Sequence, residues 1–122
     1  MKQNLTLTIA SLITIVLTSL HFTHDNLHDK QGVDLVGVTI LLGIMLLLVY
    51  ATIELAGRRL GYVIIALGGL AAAYMPYLHG MGPSSTRWGF LFIWTMLAMG
   101  VSGLFAAILA AQALFRSFRP AA

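Results

Sequence analysis

Apolar residues run along this chain in four blocks, 5–20, 35–55, 60–78 and 88–114, with most ionisable residues gathered between them. A hydrocarbon core of ~30 Å is crossed by about 20 helical residues, with ~17–25 as the working range. The last three blocks meet that length, and the first meets it when Asn4 and His21 take the interfaces. The pattern predicts an all-α integral membrane four-helix bundle. A single transmembrane domain over residues 1–122 would hold spans at about 5–22, 34–55, 60–79 and 88–114.

The connections are short and carry the residues that stop and start helices. Gly32 suits a C-terminal stop and Asp34 an N-cap. The sequence AGRR at 56–59 makes a tight turn between the second and third spans, and GMGPSSTR at 80–87 reads as a loop. Pro76 is expected to bend the end of the third span and swing His79 toward the bundle axis.

Inside the spans the polar residues are not scattered at random. Ser11, Thr14, Thr18, His21, Asp25 and His28 follow one another at spacings of 3, 4, 3, 4 and 3. Those intervals trace one helical face, a polar seam that starts in mid-membrane. It ends in the stretch HFTHDNLHD, where His24 and Asp29 lie beside it. Such a seam should face other helices rather than lipid. Matching faces are expected at Thr39, Gly43, Tyr50 and Glu54 of the second span, and at Gly61, Gly68, Ala72 and His79 of the third, with Gly69 and Ala73 adjacent. The fourth offers Thr95, Ser102, Ala106 and Ala113, with Gly103 and Ala107 as a small-xxx-small pair. Small residues let helix backbones approach, so these faces predict packing first.

Composition sharpens the membrane assignment. Hydrophobic residues make up 59% of the chain and charged residues 9%, against about 25% charged in an ordinary soluble domain. The net charge of +3 would point toward nucleic acid in a soluble protein, but its distribution here follows membrane topology. Lys2, Arg58, Arg59, Arg116 and Arg119 flank one side of a four-span model, and Lys30 and Arg87 the other. The positive-inside rule puts the larger group, and with it both termini, in the cytoplasm. The His/Asp stretch and His79 then face the periplasm of a bacterial inner (plasma) membrane, in a multi-pass protein whose partner is the lipid bilayer and not nucleic acid. Block 5–20 exceeds the ~7–15 residues of a signal-peptide core and lacks a clear cleavage site, so it is expected to be a retained span.

The absence of cysteine removes thiolate ligands and thiol redox chemistry within the chain. What remains is imidazole and carboxylate. His21 with Asp25, and His24 with His28, are i, i+4 pairs that can chelate from one helix, and His79 can close the site from the third span. Nitrogen and oxygen donors suit a Zn, Cu, Ni or Fe ion, and Met75 and Met81 near His79 keep copper in the set. The expectation is a divalent transition metal on His21, Asp25 and His79, with His24 and His28 as further donors, in a handling, sensing or accessory role. Haem held by His21 and His79, with Gly68, Gly69 and Ala72 making room, is the weaker cofactor alternative, since both histidines sit near one boundary. Glu54 is a candidate proton or cation site, although Arg58 stands at i+4, where a local ion pair would occupy it.

Rival functions draw on other features. A structural or assembly subunit would use the small-residue faces to join a larger membrane complex. A small transporter would use Ser11, Thr14 and Thr18, with Glu54, along a route completed by a homo-oligomer. The sequence holds no nucleophile–base constellation and no phosphate-binding loop, so enzyme activity has little support beyond a metal-bound hydroxide. The tail FRSFRPAA alternates Phe and Arg and suits an anionic interface.

Four spans in so short a chain resemble small multidrug transporters in size, but those carry a glutamate inside the first span and this first span has none. The whole chain is similar to small bacterial four-span membrane proteins, through His21 and Asp25 after the first span, Arg58 and Arg59 between spans, and the Pro76 to His79 ending of the third. That resemblance implies the fold and no activity.

Overall fold

The computed structural model describes residues 4–28, 34–79 and 89–119. Lys2, Asp29, Lys30, Gly32, Trp88 and the 80–87 stretch with Met81 and Arg87 lie outside the described residues, as does the side chain of His28. Four helices follow in order: α1 (Leu5–His28), α2 (Leu35–Ile53), α3 (Arg59–Leu78) and α4 (Phe90–Arg116). Each is long and apolar enough to cross a membrane, and large apolar side chains such as Val16, Leu46, Leu70 and Val101 are exposed on the outside of the bundle. An exterior of this kind implies contact with a lipid bilayer.

Local chemistry sets the helix ends. Asn4 opens α1, its Oδ1 accepting from Leu7 N at 3.2 Å while its carbonyl accepts from Thr8 N at 3.0 Å. Asp34 caps α2 by accepting from Val36 N at 3.1 Å. The α2–α3 turn passes through Gly57 at φ 82°, a left-handed conformation that glycine takes without a Cβ clash. Beyond the expected span end near residue 22, α1 continues as a helical extension through the polar stretch to His28. Side-chain bonds back to the preceding turn accompany it, with Thr23 Oγ1 donating to Ser19 O at 2.8 Å and Asn26 Nδ2 to Phe22 O at 2.9 Å.

The most intimate pair is α3 with α4. A Cβ built on Gly69 would lie 2.5 Å from Gly103 O, and one on Gly103 would lie 2.7 Å from Ala72 Cβ. The two backbones therefore touch, as the small-xxx-small pair Gly103 and Ala107 implies. Two buried clusters fill the bundle. One joins Leu7, Ala10, Ala51, Leu55, Tyr62, Ile65, Ala106 and Ala110, and the other joins Ala72, Phe92, Met96 and Met99.

The expected packing face of α2 is corrected. Thr39, Gly43, Tyr50 and Glu54 are all exposed, and the helix buries Leu48, Ala51 and Thr52 instead. All three buried residues lie in the half nearest Gly57. Thr52 is fixed there by a buried hydroxyl pair, Ser11 Oγ to Thr52 Oγ1 at 2.7 Å. Thr52 gives its single hydroxyl proton to Leu48 O at 2.7 Å, so Ser11 is the donor in the pair. On α4, the face centres on Met96, Met99, Gly103, Ala106 and Ala110 rather than on Thr95 and Ala113.

Candidate metal centre

The polar seam of α1 turns inward. Ser11, Thr14, Thr18 and His21 are all buried. The threonines satisfy themselves within the helix, Thr14 Oγ1 donating to Ala10 O at 2.8 Å and Thr18 Oγ1 to Thr14 O at 2.7 Å. Ser11 reaches Thr52. His21 is the exception: it is 0% exposed, and neither Nδ1 nor Nε2 has a hydrogen-bond partner. Burying a polar group without a partner costs on the order of 1–3 kcal/mol, so a wholly enclosed bare imidazole calls for an explanation.

Its neighbours supply one. His21, Asp25 and His79 each direct a potential ligand atom into one place, with all three atoms within 4.8 Å of one another. α1 presents His21 and Asp25 one turn apart on the seam, and His79 arrives at the C-cap of α3. Pro76 does not end α3, which runs on to Leu78, and the proline ring rests against Gly100 of α4, where an added Cβ would lie 2.9 Å from Pro76 Cγ. That close seat fixes the last turn of α3 and hence the root of His79.

The His79 ring is oriented by its own helix. Its Nδ1 lies 3.1 Å from Met75 O. A carbonyl only accepts, so Nδ1 carries a proton and donates it. In the neutral ring Nε2 then presents a lone pair, and 3.4 Å away it meets Asp25 Oδ2. Two acceptors at that distance can share a proton or a metal ion between them. A proton accounts for His79 and Asp25 but leaves His21 bare; a metal ion accounts for all three. Ligands ~2.1 Å from a tetrahedral ion stand ~3.4 Å apart, which matches the His79–Asp25 edge. The wider His21 edge, at most 4.8 Å, closes with a movement of up to ~1.4 Å.

Phe92 of α4, fully buried, floors the site and went unnoticed in the sequence pattern. Its ring centroid lies 4.8 Å from His21, 5.5 Å from His24 and 6.0 Å from His79. The His21 and His79 rings meet edge-on with centroids 5.0 Å apart, so no macrocycle fits between them in this arrangement. The small residues expected to make room for haem are also filled: Gly69 by Gly103 and Ala107, and Gly68 by the Leu48 side chain. His24 is partly buried against Phe92 and stands outside the converging trio. His28 belongs to the same helix, one turn beyond His24.

Glu54 sits apart at the opposite end of the bundle, exposed at the C-cap of α2. The pair with Arg58 is not formed; among the described residues the ion pair is that of His79 with Asp25. Arg59 instead reaches the end of α4, donating from Nη2 to Ser117 O at 2.8 Å, with its guanidinium carbon 4.3 Å above the Phe118 ring.

Two imidazoles and one carboxylate form a donor set that suits Zn²⁺ and other borderline first-row ions, and three protein ligands leave coordination positions open. No protein-family model, no curated protein and no solved structure matches this chain. The site is therefore read from its own residues, within a multi-pass helical bundle.

Proposed function

We propose that this protein binds a divalent transition metal at His21, Asp25 and His79, on the periplasmic side of a bacterial inner membrane, in a metal-handling, sensing or accessory role. One observation carries the proposal: His21 is completely enclosed with both ring nitrogens bare, and its neighbours in reach are the carboxylate and imidazole of a ready chelate. His24 and His28, further along α1, are proposed as further donors. The side assignment rests on the charge bias that places Arg58, Arg59, Arg116 and Arg119 at the other end of the bundle.

The test is purification in detergent without a histidine tag, followed by elemental analysis and Zn²⁺ titration by calorimetry. About one ion per chain in the wild type, absent from His21→Ala and Asp25→Asn, is the expected result. Equal metal content in wild type and both variants would overturn the proposal.

A further inference from the structure

Among the described residues, α2 is held to α1 by the Ser11–Thr52 pair near its Gly57 end. No residue of α2 before Leu48 is buried, and between α1, α2 and α3 a cavity of about 280 Å³ opens. Thr18 and Phe22 line it from α1, Ile40 and Ile44 from α2, and Ala71 and Met75 from α3. It lies within the length of three membrane-spanning helices, and its rim residues Ile40, Ile44 and Ala71 are exposed on the outside of the bundle. The cavity therefore opens sideways into the hydrocarbon. Its only side-chain polar atoms, the hydroxyls of Thr14 and Thr18, are already committed to backbone carbonyls.

We propose that this cavity is a binding site for one acyl chain of a membrane phospholipid. Apolar cavities of about 150 Å³ stay dry and take up apolar molecules, and this one is nearly twice that size. Its shape selects the occupant. The cavity is closed at its Leu48 end, where Leu48 is buried and its side chain fills the space over Gly68, one turn from the 2.7 Å contact of Ser11 with Thr52. A helix ~10–12 Å across cannot run the length of a cavity shut by Leu48 against Gly68, which argues against a helix of a second copy. A single hydrocarbon chain is thin, flexible and apolar throughout, and the bilayer supplies it at high concentration. Met45 and Met75 on two of the three walls adapt to a chain of varied bends. The end away from Leu48, lined by Phe22, Gly37 and Met75, is toward the His/Asp end, so the acyl chain is proposed to come from the leaflet on that side.

The test places the purified full-length protein in nanodiscs of phosphatidylethanolamine and phosphatidylglycerol. A trace of phosphatidylcholine carries a diazirine midway along one acyl chain. After illumination, adducts are mapped by mass spectrometry. Labelling of Ile40, Ile44, Ala71 and Met75 should exceed that of the lipid-facing α4 residues Val101, Leu104 and Ile108 by about tenfold, as 1.4 kcal/mol of preference gives. Ala71→Trp fills the cavity and should return groove labelling to the α4 level; Ile44→Trp, on the exposed rim, does the same if the first variant loses its helical circular dichroism. Equal labelling of groove and α4 in the wild type overturns the site. So does a covalent dimer joined through groove residues, or a crosslink of the groove to peptide 29–33 of the same chain, because either puts protein where the lipid should be. Zn²⁺ titration of the same samples separates the two proposals, since no groove residue is a metal ligand.

Discussion

His79 Nε2 stands 3.4 Å from Asp25 Oδ2, joining the end of α3 to the far turn of α1 across 54 residues of sequence. The contact closes the bundle at one end. It also places two lone-pair donors beside the bare His21 ring, and the behaviour of that ring separates a metal centre from a structural pair.

Replacing His21 by Phe keeps a ring among Phe22, Phe92 and His79 while removing both unpartnered nitrogens. The metal-free variant should be more stable than metal-free wild type by about 1–3 kcal/mol, the cost of an unmatched buried polar group. With Zn²⁺ present the order should reverse. Thermal melts in detergent with and without metal check both halves, and a variant that is less stable in each condition contradicts the account.

Metal removal should be visible in the wild type alone. An ion that binds only the folded protein stabilises it by about 2.7 kcal/mol at a concentration 100 times Kd. Dialysis against a chelator should lower the melting temperature, and returning Zn²⁺ should restore it. Asp25→Asn should melt at the same temperature in both buffers.

The seat of Pro76 against Gly100 predicts an effect at a distance. Gly100→Val drives a branched side chain at the proline ring, which cannot fold out of the way. The last turn of α3 should shift and metal affinity fall by ~10–100-fold, the usual range for lost support behind a ligand. Calorimetric titration measures it; unchanged affinity in a folded Gly100→Val would show that His79 is positioned by other means.

The glycines of the bundle should differ sharply in tolerance. Gly69→Leu or Gly103→Leu wedges the α3–α4 crossing apart and should cost about 1–3 kcal/mol or more. Gly43 has nothing within 4 Å of an added Cβ, so Gly43→Leu should leave chemical unfolding in bicelles unchanged.

The hydroxyl pair of Ser11 and Thr52 is open to a double-mutant cycle with Ser11→Ala and Thr52→Val. Hydrogen bonds between membrane helices average about 0.6 kcal/mol with a maximum near ~1.7. A coupling in that range is expected from steric-trap unfolding; a coupling of zero would remove the pair as the tie between α1 and α2.

The seam of α1 was legible because its signal is a contrast. Hydroxyls and imidazoles at spacings of 3 and 4 stand out against Leu and Ile, and lipid penalises the wrong orientation, so Ser11, Thr14, Thr18 and His21 all turn inward. Gly103 and Ala107 were legible for a related reason, since only a close crossing uses small side chains together. On α2 the same logic failed. That helix is apolar on every side, exposing Leu or Ile to lipid carries no penalty, and periodicity therefore says little about which face packs. Thr39, Gly43 and Tyr50 looked like an interface and face outward; Leu48 and Ala51 looked like any lipid-facing residues and are buried. Phe92, Met96 and Met99 were hidden by the same ambiguity. Their importance comes from meeting α1 and α3 in space, which spacing within α4 does not encode.

Among the described residues, α2 is buried only at Leu48, Ala51 and Thr52, so a tilt of this helix would turn about that end. The length from Thr52 to Leu35 is ~25 Å, so a tilt of only ~5° would carry the Leu35 end about 2 Å. Bilayers of different thickness impose tilts of that order, so bilayer thickness is expected to change how wide the cavity between α1, α2 and α3 stands open.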